Sequence, residues 1–141
     1  MLLRALASAA LLAVPLAALA ESPNLTPGEW EFTSTTTVEG DFPIPDETDT
    51  HRECLTQDAI DEANDAFVQE EEGCEFLEQE ASSERMSYRM SCQGEGGEAM
   101  VEGEMRYFEE RMEGDMRVET TTPMGDMVMN TSMEGERLGD C

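Results

Sequence analysis

From Cys74 to Cys141 apolar residues return at every second position, and that period limits the fold more than any other feature. The stretch reads Met86, Tyr88, Met90, Cys92; then Val101, Gly103, Met105, Tyr107; then Met112, Gly114, Met116, Val118; then Met127, Met129, Thr131, Met133. A strand sends successive side chains to opposite faces, so runs of this kind set one face on a core and the other in water. Joined by short polar turns, they make an antiparallel meander. The expected fold is mainly β with a minor α part. It is a single antiparallel meander sheet, strongly curved or an incomplete barrel, with one helix and two disulfides.

The other elements are predicted around that sheet. Gly28–Val38 reads as a first strand, with Trp30, Phe32 and Val38 on one parity and glutamate and threonine on the other. Residues 39–50 carry Pro43 and Pro45 with the carboxylates Asp41, Asp46, Glu47 and Asp49, which suits a loop. A short extended piece at 51–55 follows. Thr56 offers an N-cap to a helix from about Gln57 to Gln69, in which Ile60, Ala63, Asn64 and Phe67 share one side. Strands are then expected at 74–81, 85–92, 98–108, 111–121 and 126–133. Arg85, Arg89, Arg106, Arg111 and Arg117 are spread through them and can pair with neighbouring glutamates.

Residues 1–20 read as a secretory signal peptide. Arg4 precedes an apolar run from Ala5 to Leu19, and Ala18-Leu19-Ala20 fits a small-x-small cleavage site. Residues 21–141 then form a single β-rich domain, periplasmic or secreted, with no stable membrane anchor after cleavage. The chain has no lysine and a net charge of −25; with Arg4 removed, seven arginines face 33 carboxylates and the charge is −26. That balance argues against nucleic acid and anionic membrane surfaces as partners.

An even cysteine count behind an export signal reads as a disulfide framework. Cys54, Cys74, Cys92 and Cys141 allow three pairings. Cys74 with Cys92 is favoured because the two bracket a predicted hairpin, which leaves Cys54 with Cys141. No C-x-x-C spacing supports a zinc knuckle.

Leu25-Thr26-Pro27-Gly28-Glu29-Trp30-Glu31 opens the first strand, Cys54-Leu55-Thr56 precedes the helix, and Gly135-Glu136-Arg137-Leu138-Gly139-Asp140-Cys141 closes the chain. This arrangement resembles domain-of-unknown-function family 3617, small bacterial exported proteins. The resemblance covers nearly all of the chain after the leader. It implies the compartment and the four-cysteine framework, and no activity.

Catalysis has little to draw on. His51 is the only histidine, and the cysteines are committed to disulfides. Carboxylates are too many for any pair to stand out. The expected protein is therefore not an enzyme, and no cofactor is expected. Its expected role is a small periplasmic binding module, because a curved sheet lined with methionine and covered by a helix suits an apolar small molecule. The alternative is envelope Cu(I) or Ag(I) binding through Met124, Met127 and Met129, since soft thioethers select soft metals.

Overall fold

The computed structural model describes residues 21–67 and 72–141; the expected signal peptide and the expected helix end at Gln69 lie outside them. The elements are β1 (Gly28–Gly40), β2 (Glu47–Leu55), α1 (Gln57–Phe67), β3 (Cys74–Ala81), β4 (Arg85–Gly94), β5 (Gly97–Tyr107), β6 (Arg111–Thr122) and β7 (Gly125–Gly139). The strands make one antiparallel sheet in the order β2-β1-β7-β6-β5-β4-β3. Strands β3 to β7 are the expected meander. The β1–β2 hairpin joins it at β7, the last strand, and not at β3, its neighbour in sequence. β2 and β3 are left as edges, so the sheet is open. α1 belongs to the connection between those two edges.

Register lines up the alternating residues into rows across the sheet. One row runs His51–Phe32–Gly135–Met112–Tyr107, and the next Asp49–Ser34–Met133–Gly114–Met105–Met86–Ala81. A row further on, Val38–Met129–Val118–Val101–Met90–Phe76, is apolar throughout. Met86, Met90, Met105, Met112, Met116, Met127, Met129 and Met133 thus share one face, while Met100 lies on the other. The core is Trp30, Phe32, Met86, Tyr107 and Met112, with Leu25, Leu55, Met105 and Met133 packed against it. Glycines make room for these large side chains. A Cβ on Gly135 would lie 2.7 Å from the Phe32 ring and 2.8 Å from Met112 Cγ, and one on Gly114 would strike Met105 Sδ.

The other face is charged. Arg106 pairs with Glu104 at 2.9 Å on its own strand, and with Glu113 at 3.4 Å and Asp115 at 3.1 Å on β6. Arg85 reaches Glu104 at 2.9 Å, Arg89 reaches Glu102 at 3.2 Å, and Arg111 reaches Glu113 at 3.3 Å. The Arg106 hydrogen bond, joined by that of Arg85, holds the Glu104 carboxyl below its ordinary value.

Three expected boundaries shift. The loop at 39–50 shrinks, because β1 runs to Gly40 and β2 begins at Glu47. Threonine hydroxyls pair across this hairpin, Thr33 with Thr50 and Thr35 with Thr48, each at 3.2 Å, and β-branched residues favour the extended state. β7 continues past Met133 to Gly139 because its last residues pair with Glu29–Thr33 of β1. In β3 a bulge lies between Phe76 and Glu78, so Leu77 has no partner residue and is exposed.

Candidate functional site

α1 forms where Thr56 caps it; Thr56 Oγ1 accepts a hydrogen bond from the Ala59 amide at 3.2 Å. Its inner side brings Ile60, 2 % exposed, and Asn64, 1 % exposed, onto the apolar face of the sheet. The buried Asn64 amide is fully used. Nδ2 donates to Glu21 O at 2.6 Å and to Ser82 O at 3.4 Å, and Oδ1 accepts from the Tyr107 hydroxyl at 3.2 Å. One side chain therefore ties the N-terminal lead, the β3–β4 turn and β5 to the helix. Burial pushes the Tyr107 phenol up to about 12.

Between α1 and the sheet is a cavity of about 200 Å³. Ala59, Ile60 and Ala63 line it from the helix, and Phe32, Met105, Tyr107, Met112 and Met133 from β1, β5, β6 and β7. These strands and the helix wall it together. Pro23 and Leu25 complete it from the N-terminal lead. That lead is fixed by backbone hydrogen bonds to the β5–β6 turn, Thr26 N to Glu109 O and Glu109 N to Asn24 O, both at 2.8 Å. On the last side stand His51, Glu53 and Leu55 of β2. His51 and Glu53 are exposed, so this is the open side. The His51 ring stacks on Phe32 with centroids 5.5 Å apart, and its Nδ1 lies 3.5 Å from Asp49. Apolar walls with a few polar groups at one edge describe a site for an apolar guest. Its size is below the ~300 Å³ usual for drug-sized ligands and above the ~150 Å³ that accepts benzene.

The methionines named for a metal are spread along the far end of β7. Met124 is 88 % exposed in the β6–β7 turn, Met127 is 43 % exposed opposite Thr120, and Met129 is half-buried opposite Val118. They do not touch the cavity. The four cysteines form two disulfides, Cys54–Cys141 and Cys74–Cys92, with no free thiol. Cys74 and Cys92 are direct partners across the β3–β4 hairpin. Such bonds persist in oxidising surroundings outside the cytoplasm. Among the described residues no helix is long and apolar enough to cross a membrane.

The segments 25–30 and 135–141 meet beside the cavity. Trp30, fully buried, is the register partner of Arg137, and its indole nitrogen donates to Thr26 O at 3.0 Å. Arg137 Nε donates to Pro27 O at 2.9 Å, and its terminal nitrogens reach Asp140 at 2.6 Å and Glu110 at 3.6 Å. Gly28 admits no side chain, since a Cβ there would strike Gly139 O. The opening and closing sequence motifs are thus one joint. The family described as "Protein of unknown function (DUF3617)" matches residues 25–141. The chain belongs to this family. No curated protein and no solved structure matches it. The DUF3617 match begins at Leu25, a wall of the cavity, and ends at Cys141, the partner of Cys54. It therefore takes in the joint, the sheet and the helix together.

His51, Glu53 and Leu55 were not legible as a cavity edge while 51–55 was read as an isolated extended piece. Their period of two beside the register of Phe32 was the available signal. Asn64 was placed on the inner side of the helix by its spacing, and its buried hydrogen bonds are consistent with that placement.

Proposed function

We propose that this member of DUF3617 is an exported, non-catalytic binding module that works in the periplasm or beyond the cell and holds one small apolar ligand between α1 and the sheet. The cavity of about 200 Å³ lined by Phe32, Ile60, Met105, Met112 and Met133 is the observation that supports it. Methionine side chains are flexible and polarisable, so a pocket walled by three of them adapts to guests of different outline. The reading is tested by NMR titration with toluene, a neutral guest of a size that the cavity admits. One saturable site is expected, weakened at least about tenfold in Ala63→Leu, which adds bulk inside the cavity. A wild-type protein whose signals toluene leaves unshifted would refute the reading.

A second reading rests on the exposed thioethers of Met124 and Met127, which lie at the β6–β7 hairpin end with Met129 on the same face as Met127. In this reading they take one Cu(I) or Ag(I) ion. A tight equivalent of Cu(I) lost in the triple Met→Leu variant at 124, 127 and 129 supports it. Absence of Cu(I) uptake by the wild type removes it.

A further inference from the structure

We propose that the cavity ligand is an amine-bearing amphiphile, its apolar chain under α1 and its ammonium group at the β2 rim beside Glu53. The inference rests on the cavity reading above and adds the charge of the headgroup. Its basis is where the arginines are. Arg52 pairs with Glu31, Arg85, Arg89, Arg106 and Arg111 pair with glutamates of the meander, and Arg117 pairs with Glu119. Register and parity put all six on the face opposite the cavity. The seventh arginine after the leader, Arg137, is held by Pro27, Glu110 and Asp140. Among the described residues no arginine lines the cavity.

The cavity-facing parity of β2 is instead Glu47, Asp49, His51, Glu53 and Leu55, and the first four are exposed. Among the described residues Glu53 is the one carboxylate that lines the cavity, and it makes no ion pair there. Inward-pointing charge on an edge strand also discourages edge-to-edge pairing. That role needs charge of either sign, whereas here three of the four charged or titratable positions are acidic. His51, the only cation-capable group of the rim, already faces Asp49. An anionic headgroup at this rim would meet carboxylates and no arginine; an ammonium group would meet Glu53, with Asp49 four residues back along β2 beyond His51.

Three six-carbon probes that differ only in the head test this: hexylammonium, 1-hexanol and hexanoate, titrated into the full exported chain in low-salt buffer and followed by NMR. Hexylammonium is expected to bind about fivefold tighter than 1-hexanol, the factor a single charge pair near 4 Å supplies in water, with hexanoate weakest. In Glu53→Gln the gap between hexylammonium and 1-hexanol should close. Methylammonium, which has the charge without the chain, should leave the cavity residues unshifted. Equal affinity for hexylammonium and 1-hexanol would overturn the headgroup assignment and leave the cavity reading standing. So would a gap that survives in Glu53→Gln, because the preference would then belong to the net charge of the molecule. Failure of all three probes to bind would overturn both.

Discussion

Tyr107 stands where the cavity wall and the helix anchor coincide. Its ring lines the cavity, and its hydroxyl holds Asn64, the buried amide that fixes α1. A phenol in such a place resists ionisation because the charged form is poorly solvated. Tyr88 and Tyr107 are the chain's two tyrosines, and burial raises both. Absorbance at 295 nm against pH should show two ionisations, both above the ordinary 10, with the later one near 12 and missing in Tyr107→Phe. A Tyr107 step at 10 would contradict the burial. The sign for stability follows from linkage. The unfolded chain loses this proton first, so the contribution of Tyr107 is complete below pH 10 and declines as pH rises toward 12.

At the level of elements, room on the apolar face is set by glycine as much as by the large residues. Gly135 of β7 faces the Phe32 ring and Met112, both in the core, whereas Gly114 of β6 faces the mobile end of Met105. Gly135→Ala should therefore cost about 1–3 kcal/mol in urea unfolding and Gly114→Ala clearly less. Equal costs would show that the Phe32 row is loosely packed. These glycines also explain what could be read beforehand. The meander strands were legible because Met, Tyr and Val repeat at period two through 86–133. The end of β7, Gly135 to Gly139, was not, because two glycines and three polar or exposed residues carry no strand pattern of their own. Pairing with β1 makes that segment a strand. The same holds for Glu47–Thr50, an edge piece whose threonines acquire meaning only opposite Thr33 and Thr35. In β3 the bulge at Leu77 shifts the inward parity from Phe76 to Gln79 and Ala81, which no fixed period anticipates. A helix and a methionine-lined sheet were legible, but the cavity between them and its open edge were not, since both depend on β2 lying beside β1.

For the whole molecule, an open sheet with a strongly acidic outer face needs its ends held. The Cys54–Cys141 bond spans 87 residues and the Cys74–Cys92 bond spans 18. In the chain-entropy model the longer link is worth about 4.6 kcal/mol and the shorter about 3. Paired serine variants should follow that order in urea unfolding, the 54/141 pair losing more; the reverse order would show that the β3 edge, and not the joint of the two chain ends, limits stability. The joint also presents Leu25 and Leu55 to the cavity, so the joint and the cavity share one end of the protein. The central claim is that the methionine face packs beneath α1 and leaves space there for an apolar guest. Methyl-13C labelling of the ten methionines from Met86 to Met133 tests it most directly, with 1-hexanol as the guest. The methyl signals of Met105, Met112 and Met133 should shift together with one saturation curve, while Met100 and Met124 stay in place. Shifts confined to Met124 and Met127, or no shift at the three cavity methionines, would contradict the account.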